Sequence, residues 1–162
     1  METLDLLINR IDAARNWTRN LLADLSDREW FFQPGPGLHS PAWIVGHLTW
    51  AEWGLAGVRC CEREPLPPPT ADLFGRGSIP SGDPKSYPSI AELRAQRDQV
   101  HNDLLPLIRK LTPAQLAQSP KGDPHPMFST RGQVLGMVAM HESFHAGQLA
   151  LLRRLMGRAA QR

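Results

Sequence analysis

Two histidines placed four residues apart carry the clearest chemical signal in the sequence. They are the first and last residues of the segment His141-Glu142-Ser143-Phe144-His145. Residues i and i+4 of an α-helix project from the same face, so both imidazoles can close on one divalent metal ion. The segment also matches the H-E-x-x-H pattern of zinc proteases, in which the glutamate acts as general base.

A zinc protease needs a third metal ligand after this motif, commonly Glu, Asp or His. No acidic residue and no histidine follows His145, and Gln148 stands where the extended protease motif has glycine. Glu142 lies about 100° around the helix from His141, so its side chain leaves the seam. We expect it to be solvated or to face another subunit, and the alternative is a role as general base or as a residue beside the metal or the substrate. The pattern therefore favours a metal site but not a protease.

The helix that carries the pair has a core-facing seam with alternating spacings of four and three. The seam consists of Val134, Val138, His141, His145, Gln148, Leu152 and Leu155. A buried polar side chain needs a hydrogen-bonding partner, and two stacked histidines favour a metal ion in that role. For Gln148, two roles stay open at this point: orienting a histidine or bound water, and plain packing.

A third histidine, His47, lies on an earlier helix whose seam has the same character. That seam consists of Ile44, His47, Ala51, Gly54 and Val58. Three neutral imidazoles with one open coordination position are typical of catalytic metal sites, so we expect His47, His141 and His145 to hold the ion. Trp50, one turn beyond His47, lines a substrate pocket or simply packs in the core.

Four helical segments must position these side chains. Periodicity and capping signals predict helices over residues 2–25, 40–60, 89–111 and 130–158, with Pro106 expected to kink or break the third. A Pro-rich crossover, residues 62–88, is a lid, an interface arm or a solvated connection. The sequence predicts an all-α four-helix bundle with a long crossover between helices 2 and 3, in one domain over residues 1–162.

Composition and charge argue against several classes of protein. The net charge is +2 and the Lys and Arg residues form no dense tract, so we expect no nucleic-acid partner. No apolar run reaches membrane-spanning length, and no signal-peptide pattern opens the chain, so we expect a cytoplasmic protein without membrane contact. The adjacent Cys60 and Cys61 make no disulfide framework.

The remaining histidines and two leucines of the last helix lie outside the predicted metal site. His39, His101 and His125 fall in loops or on polar faces, where we expect no special role. Leu149 and Leu151 are apolar residues that would suit a contact between two subunits.

Two segments together resemble the DinB/YfiT-like superfamily of small metal-binding proteins. The first is residues 40–48 (SPAWIVGHL), and the second is the pattern H-x-x-x-H-x-G-Q-L from His141 to Leu149. The resemblance covers nearly the whole chain and implies an often dimeric four-helix protein that holds zinc or nickel. The family's ligand positions match His47, His141 and His145, whereas the Pro-rich crossover and Glu142 are less typical. Where members have a known activity, it is often transfer or isomerisation with a low-molecular-weight thiol such as bacillithiol or mycothiol.

The resemblance and the residues together predict a thiol-dependent S-transferase or isomerase that acts on small electrophiles, most simply as a homodimer. Three neutral ligands leave the charge of the ion uncompensated, which favours an incoming thiolate. The same ligands suit a metal-dependent hydrolase, since zinc lowers the pKa of bound water to about 7. A third alternative is a non-catalytic stress-response or binding protein that the metal stabilises.

Overall fold

The computed structural model describes residues 2–66 and 68–159, and every named secondary-structure element in this part of the chain is helical. This confirms the all-α prediction. The elements are α1 Thr3–Leu22, α2 Asp27–Trp30, α3 Pro41–Glu52, a π-helix Trp53–Cys60, α4 Pro68–Phe74, a 3₁₀ turn Pro84–Ser86, α5 Ile90–Ile108, α6 Pro113–Ala117 and α7 Arg131–Leu155. No helix of the described ranges is long and apolar enough to cross a membrane.

The two helices that carry the paired and single histidines begin at strong capping residues. Ser40 Oγ accepts a hydrogen bond from the Trp43 N–H at 3.2 Å, and Pro41 occupies the first helical position. Thr130 and Gln133 form a reciprocal capping box at the start of α7. These caps fix where each helix begins.

A π-helix continues α3 and changes the face that points into the core. Its hydrogen bonds run from residue i to i+5, so each turn holds more residues than an α-helical turn. Ala56 and Cys60 are buried, whereas Gly54 and Val58 are only half-buried. The predicted seam is therefore wrong beyond Ala51, because it assumed an α-helical period throughout.

Pro106 does not break α5, which continues to Ile108. Pro106 cannot donate to the carbonyl four residues before it, but only two residues of the helix, Leu107 and Ile108, lie beyond it. The Arg109 N–H still donates to the Leu105 carbonyl at 3.0 Å. The expected break is therefore wrong, because the helix continues past the proline, whereas the kink stays a prediction.

The core consists of two apolar clusters with charged residues between them. One cluster includes Leu21, Leu48 and Leu93, and the other includes Ile11 and Val100. Four of the buried charged residues, Arg15, Glu52, Arg97 and Glu142, come from α1, α3, α5 and α7 respectively. On α1, on α5, on α7 and on α3 with the π-helix that continues it, the charged residue lies between residues of the two clusters.

The Pro-rich crossover is packed against the rest of the protein at Phe74. This ring is 2% exposed and belongs to the first apolar cluster, where it stacks on Tyr87. The interpretation of the crossover as a merely solvated connection is therefore wrong at this residue.

Candidate metal centre

The three predicted histidines converge through their Nε2 atoms. His47 Nε2 lies 3.3 Å from His141 Nε2, which lies 3.1 Å from His145 Nε2. Tetrahedral zinc with Zn–N bonds of about 2.0–2.1 Å separates two ligand nitrogens by about 3.3 Å. The donor atoms are thus spaced for one ion, and no carboxylate or thiol of the described residues joins them in the cluster.

Two of the three imidazoles are oriented through their other ring nitrogen. His47 Nδ1 lies 2.7 Å from the Phe74 carbonyl oxygen, and His145 Nδ1 lies 2.8 Å from Gln148 Oε1. Carbonyl oxygens only accept hydrogen bonds, so Nδ1 carries the proton and Nε2 keeps its lone pair. This is the contact that orients metal-binding histidines in many proteins.

The arrangement leaves more lone pairs than protons at its centre. The Nε2 lone pairs of His47 and His145 both face His141 Nε2. His141 Nε2 can donate at most one hydrogen bond, so at least one lone pair stays without a donor inside the cluster. A cation satisfies all three nitrogens at once, and the residues therefore fit a divalent metal ion.

Burial keeps these imidazoles in the neutral form that binds metals. It lowers the pKa of His145 to about 3, with a smaller contribution from the neighbouring His141. Burial likewise lowers the pKa of His141 to about 4 and lowers the pKa of His47. At neutral pH none of the three needs to lose a proton before it coordinates.

An aromatic stack covers one side of the centre. The Trp43 ring lies 4.6 Å from the His47 ring and 4.0 Å from the His39 ring, nearly parallel to both. His39 Nδ1 lies 3.2 Å from Gln148 Oε1, so Gln148 links two histidines. Trp50 lies farther from His47, with ring centroids 5.6 Å apart. Sequence reasoning missed His39, whose only signal was its position beside the Ser40 cap.

Glu142 is not solvated, contrary to the sequence prediction. Its side chain is buried and pairs with the buried Arg97 of α5. The prediction was wrong because α7 packs against α1, α3 and the π-helix, so a side chain 100° from the seam still points into the protein. His101 also has partners, Glu52 at 2.8 Å and Asp12 at 3.2 Å, contrary to expectation.

The two leucines expected at a subunit contact differ in exposure. Leu149 is buried in the first apolar cluster, so it is not available for such a contact. Leu151 is exposed on α7. His125 is only half-buried and lies in a loop stacked on Phe128, away from the metal ligands.

Gly46 allows Phe74 to approach the helix that carries His47. A Cβ atom at Gly46 would overlap the Phe74 ring. We expect Gly46→Ala to displace Phe74 with the carbonyl that orients His47, and to lower metal affinity by about tenfold to a hundredfold. The measurement is a competition titration with a chromogenic chelator.

Gly54→Ala is the matched control for this prediction. It lies on the same continuous helix, and a Cβ there meets no atom within 4 Å. Metal affinity should stay within about twofold of the unaltered protein, since no ligand or partner moves. Equal affinities for the two variants would contradict the role assigned to Phe74.

The family model of the DinB superfamily matches residues 10–149, a range that includes His47, His141, His145 and Gln148. A search of curated proteins finds no match to the chain.

Proposed function

Because the chain belongs to the DinB superfamily, we propose that it is a metal-dependent enzyme whose zinc or nickel ion is held by His47, His141 and His145. The observation that carries the proposal is the convergence of three Nε2 atoms with no fourth protein ligand among the described residues. Structural zinc sites usually have four protein ligands, whereas catalytic sites keep one position open. Two of the ligands, His47 and His141, are only half-buried, which supports access from solvent.

The reaction we propose is transfer or isomerisation with a low-molecular-weight thiol and a small electrophile. A divalent ion at the three histidines would supply positive charge that favours the deprotonated thiol. The described residues add no negatively charged ligand to the three histidines, and Phe74 and Gln148 hold two imidazoles in orientation. Trp43 and Trp50 provide an apolar wall beside His47 that suits an apolar electrophile.

The protein's own thiols are poorly suited to act as the nucleophile. Cys60 is buried, and burial raises the pKa of its thiol to about 12. Burial also raises the pKa of Cys61. The thiolate is the reactive form, so this supports a thiol that arrives as a small molecule.

Turnover of a generic electrophile tests this proposal. In the expected reaction a sulfur–carbon bond forms, the leaving group departs as an anion, and the thiol proton goes to solvent. We expect metal-loaded protein to react 1-chloro-2,4-dinitrobenzene with at least one of bacillithiol, mycothiol or glutathione. The rate should fall about a hundredfold or more in His47→Ala, because the ion is lost, and stay unchanged in His125→Ala.

The other outcomes separate the alternatives. Turnover of ester substrates that does not depend on thiol would replace the transferase by a metal-dependent hydrolase. Metal binding that stabilises the protein, with no turnover of either substrate class, would indicate a non-catalytic binding or stress-response protein.

The proposal extends to the helix arrangement, the domain organisation and the cellular location of the protein. We infer that α1, α3 with its π-helix, α5 and α7 form one four-helix bundle, with the crossover between the second and third of these helices. The two apolar clusters and the charged residues between them support a single domain. A reducing, cytoplasmic setting agrees with free Cys60 and Cys61, and a small molecule is the expected partner rather than nucleic acid or membrane.

We propose that α7 also forms the contact of a homodimer. Its exposed face carries Met140, Phe144, Leu151 and Leu155, at spacings typical of a helix–helix seam. Sedimentation equilibrium tests the proposal, with Leu151→Glu expected to shift the protein to monomer. A monomeric unaltered protein would refute it.

A further inference from the structure

His39, which is not one of the metal ligands, contacts a side chain beside each of two ligands. Its Nδ1 lies 3.2 Å from Gln148 Oε1, the same atom that lies 2.8 Å from His145 Nδ1. Its ring lies nearly parallel to the Trp43 ring at 4.0 Å, and Trp43 stacks on His47 in the same way at 4.6 Å. His39 therefore touches the residues that flank one ligand on α7 and one on α3.

The position of the His39 ring is itself fixed from two sides. His39 immediately precedes Ser40, a buried residue whose side chain caps α3. Trp43 is 5% exposed, and its indole N–H donates to Ser78 Oγ at 3.1 Å. A ring that lies flat on a buried and hydrogen-bonded indole has little freedom to move. The start of α3 therefore holds His39 in place.

Gln148 depends on the two histidines for its own position. A glutamine side chain loses much conformational freedom when it is held in one rotamer. Gln148 is half-buried, and within the described residues its side chain makes hydrogen bonds only through Oε1, with His39 and His145. A carbonyl oxygen only accepts hydrogen bonds, so both imidazoles donate from Nδ1. Without the bond from His39, His145 would be the single anchor of the group that orients it.

We propose that His39 is a positioning residue of the metal centre: it holds Gln148, and Gln148 holds His145 in the orientation that binds the ion. This role rests on the proposed three-histidine metal site. The His39 ring centroid lies 6.1 Å from that of His145, and His39 does not belong to the cluster of ligand atoms, so it acts through Gln148 and not as a fourth ligand. Groups that hydrogen-bond to metal-binding imidazoles contribute to metal affinity, so a residue that fixes such a group contributes a share of the same effect.

The zinc affinity of the full chain, measured by competition with a chromogenic chelator, tests this role. His39→Phe keeps an aromatic ring on Trp43 but removes the N–H that donates to Gln148. We expect it to weaken zinc binding about fivefold, because one hydrogen bond is lost while all three ligands remain. His125→Phe is the matched control, since His125 also stacks on an aromatic ring, that of Phe128 at 4.2 Å, and lies outside the metal cluster. Its zinc affinity should stay within about twofold of that of the unaltered protein.

A double-mutant cycle separates action through Gln148 from a general disturbance of the structure. Gln148→Ala should weaken zinc binding about tenfold to a hundredfold, because His145 loses its orienting partner. Adding His39→Phe to Gln148→Ala should then change the affinity by at most about twofold, because the side chain on which His39 acts is absent. The visible absorption of bound cobalt(II) should change in His39→Phe in the same direction as in Gln148→Ala.

Zinc affinity or a cobalt(II) spectrum that is unchanged in His39→Phe would overturn the positioning role and leave the metal site intact. The role is also overturned if His39→Phe weakens zinc binding as much in Gln148→Ala as in the unaltered protein. An unaltered protein that binds no zinc would refute the metal site itself, and the role of His39 with it.

Discussion

Replacement of His145 by alanine is expected to abolish stoichiometric metal binding, with a loss of affinity of about a hundredfold or more. Loss of an outer contact alone typically lowers metal affinity ten- to a hundredfold, and His145 supplies one of the three ligand atoms found among the described residues. His145 is also the most buried of the three, so water replaces its imidazole poorly. Elemental analysis of protein purified without an affinity tag measures the effect, together with competition titration against a chelator.

His125→Ala is the matched control, since it removes a loop imidazole that lies outside the cluster. Its metal content should equal that of the unaltered protein. Undiminished metal in His145→Ala would refute the three-histidine site. The circular dichroism spectrum of each variant shows whether a loss of metal merely reflects a loss of helix.

The positions of the three histidines were predictable because they depend on helical periodicity alone. His141 and His145 lie one turn apart on α7, which forms as the sequence predicts. His47 lies before the α-to-π change in its helix, where an α-helical period still holds. The seam drawn beyond that change failed, because a pattern of apolar residues does not reveal an i→i+5 hydrogen-bonding segment.

Contacts between distant parts of the chain were not predictable from local pattern. The oxygen that orients His47 is the backbone carbonyl oxygen of Phe74. Every residue has such a carbonyl, so the sequence does not indicate which one contacts His47. Gly46 carried the one available signal, a residue without Cβ one position before His47. The partner of Glu142, Arg97, lies 45 positions away on another helix. Burial of Glu142 becomes evident only when the neighbours of α7 are known.

Glu142 and Arg97 form an ion pair that is removed from water on both sides. Their side chains are 5% and 4% exposed. Burying two charges costs free energy that their attraction offsets only while both are present. Removal of one partner leaves the other charge buried, and here Arg97 already has two nitrogens without partners in the described residues.

We therefore expect Glu142→Ala to lower the free energy of unfolding by about 3–5 kcal/mol. Urea unfolding in the presence of chelator measures this, so that a change in bound metal does not contribute. The double variant Arg97→Met/Glu142→Leu should be markedly more stable than Glu142→Ala, since it removes both charges and fills the space. Glu62→Ala, which removes the exposed carboxylate that pairs with Arg131, is the matched control and should cost at most about 1 kcal/mol.

A second substitution of Glu142 tests whether this residue is structural or is the general base that the H-E-x-x-H pattern suggests. A general base must accept a proton during turnover, so Glu142→Gln would abolish the reaction in a protein that still folds and binds metal. We expect the opposite result. Glu142→Gln should lower the free energy of unfolding, because the amide oxygen still accepts from Arg97 but carries no charge. Turnover per metal-loaded molecule should stay within about threefold of that of the unaltered protein. Loss of turnover at unchanged metal content and stability would restore Glu142 as a catalytic residue. The buried contact with Arg97 favours the structural role, because the Glu142 carboxylate already accepts from that guanidinium and does not join the histidine cluster.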